Sequence, residues 1–580
     1  MTRMHAALGF VLALTIAPGA EGATTASAAD RQLKALYDAE WQWRQKEFAE
    51  LTDGLETKAD DHLPAVTAAD WARRKAYWQD VLAKIARIAP AGYSDEERLN
   101  AAVLTETLRA DIANIAYRTY EAPLNSDSAF WSSVKPYSPL QTATEYRRYI
   151  ARLRDVPRWF AENTLNMQAG LKRGYTPPRV TLAGRDATIA AFAVTGPENP
   201  LYDPFETMPA SIPMPEQAAL RAEAARAIDA QAAPAYARLL DFFRKVYLPG
   251  ARETLAASAL PDGKAFYESQ VREYTTLDLT PAAIHAIGLK EVARIDADMK
   301  ATIAQTGYTG SFADFLAFLR SDPQFYARTP DELLGFSSYV AKRMDGRLKD
   351  VFTVLPRYRF TIQPVPDAIA PLYTSGRGGL SGCLMNTYDL KSRPLYNIVA
   401  LTLHECVPGH SHQAAMALEA PDRPAFRRAT YFSGYGEGWG LYAEWLGTKL
   451  GMYRTPYEEF GRETFEMWRA CRLVIDTGLH SQGWTRQQAI DYLASHTALA
   501  KLDVEIEVDR YISWPGQALA YKLGEMKMRA LRATAERELG PRFDQRRFHD
   551  RLLGLGSVPL PAMEREMLAW IAREKATPPL

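Results

Sequence analysis

The sequence predicts a mainly α-helical protein with a small β-sheet or hairpin set well past its midpoint. Three observations carry this reading. Stretches throughout the chain after residue 30 place apolar side chains three and four apart, the period of an amphipathic helix. One segment beyond residue 350 switches to apolar and β-branched residues in alternation, followed by a Gly/Ser-rich run. The composition is that of a globular chain, 47% hydrophobic and 24% charged over 580 residues.

Taken in order, the N-terminus comes first. "AALGFVLALTIA" (6–17) is an apolar core behind a single Arg, closed by Pro18 and Gly19. Small residues follow, with an A-x-A site at Ala26–Ala28 and a weaker candidate at 20–22. Residues 1–28 therefore read as a secretory signal peptide, too short for a membrane span. Cys383 is the first cysteine, which argues against a lipoprotein anchor. A periplasmic or secreted protein is expected. Residues 29–580 are read as one helical domain.

Within it, "RQLKALYDAEWQWRQKEFAEL", "EYRRYIARLRDVPRWFAENTLNMQAGLKRG" and "PEQAALRAEAARAIDAQAAPAYARLLDFFRKVYLPGAR" are helical segments. Thr280-Pro281 reads as an N-cap with Pro at the first position of a helix ending at Gly307. The Pro-rich run 194–217 is a loop within the helical domain. "VFTVLPRYRFTIQPVP" (351–366) is expected to be a strand, and "APLYTSGRGGLSGCLMNTYDL" a hairpin or strand near a cleft. Helices then resume with "PLYNIVALTLHECV".

Lys plus Arg and Asp plus Glu both total 69, so no basic excess points to nucleic acid or an anionic membrane. Three cysteines permit one disulfide but no disulfide framework, and core packing is the default for each.

Five of the nine histidines fall between His404 and His496. The most informative stretch is "LTLHECVPGHSHQ" (401–413). A catalytic zinc site takes three protein ligands, an open position for water, and a carboxylate to accept the water's proton. In H-E-x-x-H the histidines lie about one helical turn apart. Here His404 and Glu405 are in place, but position 408 is Pro408 and the next histidines are His410 and His412. On a straight helix His410 stands roughly 240° round from His404, and His412 lies roughly 12 Å along the axis. Neither could share an ion with His404. Pro408 breaks the helix, and Gly409 permits unusual dihedrals. If these two residues bulge out, His410 returns to the face of His404. The other reading is a helix that ends at Val407 with both histidines in a loop.

Downstream, "GEGWGLYAE" (436–444) looks like the N-E-G-F-A-x-Y-x-E element of M1-type zinc aminopeptidases. Glu437 matches the metal-binding position of that element, with Glu444 as the fallback ligand. An oxyanion needs an electrophile opposite the metal. Tyr511, Tyr521 and His480 are the candidates. Asp476 either orients His480 or pairs with Arg472 on the same helix face. Arg510 could hold a substrate carboxylate bidentately, with Gln517 beside it. "SGRGGLSG", including Gly379, offers either an extended edge for a peptide backbone or a plain turn.

"HECVPGHSHQ", "GEGWGLYAE", "RLVIDTGLH" and "RYISWPGQALAYKLGE", in this order, resemble the bacterial family known as domain of unknown function 885. Its H-E-x-x-P-G-H pattern matches His404, Glu405, Pro408, Gly409 and His410. The resemblance covers most of the chain and is sharpest between 370 and 530. It implies a zincin-like helical metallopeptidase fold with a central cleft, distantly similar to carboxypeptidase Taq, thimet oligopeptidase and angiotensin-converting enzyme. The function expected is hydrolysis of short peptides, with Zn²⁺ on His404, His410 and Glu437 and Glu405 as general base. The alternatives are an amidase acting on a non-peptide amide, or a non-catalytic peptide- or metal-binding protein on an inherited fold.

Overall fold

A computed structural model describes residues 26–48 and 61–577, apart from 127, 137–138, 368, 381 and 421–422. Residues 1–25, with the whole apolar core of the expected signal peptide, lie outside the described residues. Its proposed cleavage site does not. Ser27 caps the first helix (Ala28–Glu47), accepting from the Asp30 N–H, and Asp30 returns the bond. Cleavage after Ala28 would remove that cap, whereas cleavage at 20–22 would keep it.

The described chain is mainly helical, with one three-stranded sheet. The helices obey their local signals. Ala143–Arg173 starts at a Thr142 capping box and stops at Gly174, whose φ of +74° suits glycine. Pro281–Thr306 is capped by the Thr280 hydroxyl and ends at Gly307, as its sequence predicts. Residues 214–250 run on as a single helical path interrupted by two π turns, Ile228–Ala232 and Phe243–Tyr247. The Pro-rich 194–217 region contains short helical turns, including Asp203–Glu206.

Two main apolar clusters result. One joins Ala143–Arg173 to residues 214–250. The larger runs from the first three helices to the C-terminal half and encloses the His-Glu segment. Pro281–Thr306 lies along Pro456–Ser481, a helix buried for most of its length.

The strand expected over 351–366 is shorter. Only Thr361–Pro364 (β1) is extended. Val351 and Phe352 instead close a helical turn with their N–H groups on the Leu348 carbonyl, and both are buried. Pro356, which lacks an N–H, lies between that turn and β1. The hairpin forms from Gly376–Gly378 (β2) and Gly382–Met385 (β3). The sheet order is β1-β3-β2, with β1 parallel and β2 antiparallel to β3. β2 is therefore an edge strand.

Core packing alone is not the fate of all three cysteines. Cys383 on β3 and Cys406 at the end of the His-Glu helix form a disulfide, with Cα atoms 5.5 Å apart. Their separation of 23 residues hid a partnership that only the sheet creates. Cys471 is free and buried. No helix among the described residues is long and apolar enough to cross a membrane.

Candidate metal centre

The motif helix, Leu395–Glu405, is apolar almost throughout and buried on nearly every face. It stops at Glu405, and Cys406 leaves helical geometry. Val407–Pro408 is a cis peptide bond, and a second helix, His410–Leu418, begins at once. The chain thus neither continues nor trails into a loop. It folds back over the four residues 406–409 and restarts. A Cβ on Gly409 would lie 1.8 Å from the His404 carbonyl oxygen, so only glycine fits this return. The Trp439 indole donates to the Pro408 carbonyl at 2.8 Å and pins it.

The result brings the two histidine rings together, 4.9 Å between centroids. Glu437 meets both from the ligand helix, Ser433–Lys449. Its Oε2 is 3.5 Å from His404 Nε2 and 3.2 Å from His410 Nε2. One donor atom from each of the three residues lies within 4.8 Å of the others. Ligands on a tetrahedral zinc with bonds of ~2.0–2.1 Å stand ~3.3 Å apart, close to the 3.5 Å and 3.2 Å between Glu437 and the two histidines.

The surroundings fit it too. Glu444, one of the two acidic residues of "GEGWGLYAE", does not face the donor set. It sits behind, with Oε1 2.7 Å from His404 Nδ1 and 3.2 Å from Arg469. That pairing leaves His404 Nε2 for the ion, the arrangement typical of zinc histidines. A Cβ at Gly440 would come within 2.6 Å of the His404 ring, so the ligand helix can approach only as glycine. Burial pushes the His404 imidazole down, but its bonds to Glu437 and Glu444 prevail and raise it to about 9. Burial likewise opposes charge on Glu437, yet His410 and His404 hold it well below the usual carboxylate range.

Glu405, the last helical residue, lines the same cavity. Its Oε2 accepts the Gly378 N–H from β2 at 2.5 Å. The cavity is about 740 Å³ and is also lined by Gly376–Gly378 of β2 and by Gly379.

His412 stays out of the cavity, as the sequence reading expects, and two expected residues do not reach it either. His412 is buried against Phe352, 4.6 Å between rings, and burial pushes it down to about 4. His480 does not line the cavity. Its Nδ1 accepts the Ala257 N–H and its Nε2 meets the Tyr511 carbonyl, and burial lowers it to about 4. Asp476 serves neither partner foreseen for it, accepting instead from the Tyr267 hydroxyl and the Gly516 N–H. Tyr511 is buried beneath the site, where its hydroxyl accepts from Trp468 and Arg472. Neither His480 nor Tyr511 is placed to touch a substrate at the donor set.

Tyr521, Arg510 and Gln517 do line the cavity. The turn at Gly516, φ +84°, brings the Tyr521 ring back to 6.2 Å from His404. Arg510 Nη2 donates to the Tyr521 hydroxyl at 3.0 Å and to Gln517 Oε1 at 2.9 Å.

Two further features went unread in the sequence. Tyr431 lines the cavity with its hydroxyl 3.4 Å from Glu437, and no spacing signal marks it. Arg469 and Arg472 also line it, next to Trp468. The sequence reading gives Arg472 only as a possible partner of Asp476, and no signal marks Arg469.

A crystal structure of a predicted lipoprotein from Colwellia psychrerythraea is similar over 94% of this chain and 100% of that one, with 26% identity and a TM-score of 0.86. A predicted lipoprotein of unknown function from Shewanella oneidensis shares the fold over the same proportions, with 16% identity and a TM-score of 0.63. These neighbours are compatible with an exported protein. No curated protein matches. The model of the family described as "Bacterial protein of unknown function (DUF885)" matches residues 49–567, and the chain belongs to that family.

Proposed function

We propose that this protein is an exported zinc-dependent peptidase of zincin-like design that hydrolyses short peptides. The observation that carries the reading is the convergence of His404, His410 and Glu437 beside the Glu405 carboxylate in one cavity. Histidine and carboxylate donors suit zinc, and three of them leave a position open. A zinc ion held there would acidify a bound water and polarise the substrate carbonyl.

The chain's own groups supply the rest. Glu405 takes the proton of the attacking water as its oxygen bonds to the carbonyl carbon. It then delivers that proton to the amine as the C–N bond breaks, so one water is consumed per bond. The Gly378 N–H holds the Glu405 carboxylate in place. Tyr521 and Tyr431 present hydroxyls to the cavity and are the oxyanion donors in this reading. β2 is an edge strand whose backbone lines the cavity, which supports pairing with an extended peptide.

The test is metal analysis of the purified protein together with turnover of a short-peptide library followed by mass spectrometry. Glu405→Gln is expected to keep its zinc and lose about 10²- to 10⁴-fold in turnover. Wild-type rates in Glu405→Gln would refute the mechanism. Stoichiometric zinc with no turnover of any amide would favour a binding protein instead.

A further inference from the structure

Seven arginines line the cavity, against Glu405 and Glu437 as its only carboxylates among the described residues. Three of the arginines, Arg469, Arg472 and Arg510, gather at the Tyr521 end. Arg469 is answered by Glu444. The other two both reach Glu507. Glu507 is 2.8 Å from Arg472 Nη2 and 3.5 Å from Arg510 Nη1. Arg510 also donates to Gln517 and to the Tyr521 hydroxyl. Arg472 is 1% exposed, spends Nε on the Tyr511 hydroxyl, and has no hydrogen-bond partner for Nη1. A buried guanidinium nitrogen without a partner is costly unless a ligand satisfies it.

Aromatic faces hold both cations in place. The Arg472 guanidinium lies 4.2 Å from the Tyr521 centroid and 4.4 Å from that of Trp468, while Arg510 lies 5.6 Å from Trp514. The Tyr521 ring is in turn 6.2 Å from His404. An extended residue spans roughly 3.5 Å, so a group bound here would sit one or two residues beyond a carbonyl placed at the metal ligands.

We infer that the Arg472–Arg510 end of the cavity is a carboxylate subsite. It anchors a peptide through a carboxylate on the leaving-group side of the bond that Glu405 helps to cleave. This rests on the peptidase reading for its position in the substrate, but not for its existence. The carboxylate has two sources, the free C-terminus of the peptide or an Asp or Glu side chain near it. The first would make the protein release one or two C-terminal residues, and the second would give it a preference for acidic peptides.

The experiment uses full-length mature, zinc-loaded Glu405→Gln protein and three versions of one short peptide, with binding measured by calorimetry. The versions carry a free C-terminus, a C-terminal amide, and a C-terminal amide with Glu as the last residue. The free acid or the Glu amide is expected to bind about 10- to 150-fold tighter than the plain amide, as for a hydrogen bond to a charged group. Which of the two does so identifies the source. Adding Arg510→Met should bring the ratio towards one, and far-UV circular dichroism checks that this variant folds. Equal affinity for all three peptides would overturn the subsite whatever the variant does. Wild-type turnover separates the two proposals. Selective carboxylate binding without hydrolysis would sink the peptidase reading alone, and hydrolysis indifferent to any carboxylate would sink the subsite alone.

Discussion

Gly409→Ala should abolish tight zinc binding without unfolding the protein. The added Cβ would lie 1.8 Å from the His404 carbonyl oxygen and 2.5 Å from that of Leu403. Real Cβ contacts stay beyond 3.0 Å, so something must move by roughly 1.2 Å. The atoms in the way are backbone, not a flexible side chain, and they belong to the residue that carries the first ligand. Metal sites tolerate errors of about 0.2 Å in ligand distance. Losing a supporting group already costs 10–100-fold in affinity. Displacing a ligand should therefore cost at least ~100-fold, about 2.7 kcal/mol. The strain on folding should be ~1–3 kcal/mol, as for an overpacked interior. Competition with a chromophoric chelator measures the first quantity and urea denaturation of the metal-free protein the second. Gly335→Ala is the control. Gly335 is exposed in the helix Pro330–Asp345 with nothing near its Cβ position, so alanine there should add up to ~1 kcal/mol and leave zinc alone. Wild-type zinc affinity in Gly409→Ala would refute the claim that the Pro-Gly return sets the spacing of His404 and His410.

Further outcomes follow from the same geometry. Glu444→Gln should weaken zinc by about 10–100-fold in the same competition assay, because it disturbs His404 Nδ1 and leaves Arg469 without its carboxylate. Replacing both Cys383 and Cys406 by Ser should lower stability by ~3 kcal/mol in denaturant titrations, the value for freeing a loop of this length. His480 is held at about 4 in the folded state against an ordinary value of 6.5. Between these values the unfolded chain binds the extra proton, so its contribution falls as pH drops. From pH 7 to pH 5 wild type should lose about 2 kcal/mol more than His480→Gln, read from urea curves at the two pH values.

The helices were legible because each carries its own start and stop. Thr280-Pro281 and Gly307 bound a helix with no help from the rest of the chain. The approach of His410 to His404 was legible for the same reason, since the two are neighbours in sequence and the Pro408-Gly409 pair between them dictates a break. What failed were inferences from residue type across long separations. His480 has the chemistry of an oxyanion donor, but whether its nitrogens face a cavity or the backbone of Ala257 and Tyr511 depends on packing more than 200 residues distant for Ala257. The 351–366 segment alternates like a strand, yet Val351 and Phe352 are drawn into the core beside a helical turn. Cys383 and Cys406 likewise pair only once β3 lies beside the motif helix.

That disulfide bears on how the site is held. Glu405 ends the motif helix, so its backbone lacks the following turn that would fix its side chain. Cys406, the next residue, is bonded to β3, and β3 pairs with β2, which donates the Gly378 N–H to Glu405. Glu405, the edge strand β2 and the end of the motif helix are therefore tied together by the disulfide, the β2–β3 pairing and the Gly378–Glu405 hydrogen bond. Movement of the hairpin away from the helix would have to break the bond that aims Glu405. A base placed at a chain break ordinarily costs precision, and here the hairpin restores it. β2 also lines the cavity, so a ligand bound there would meet a Glu405 carboxylate already positioned by that strand.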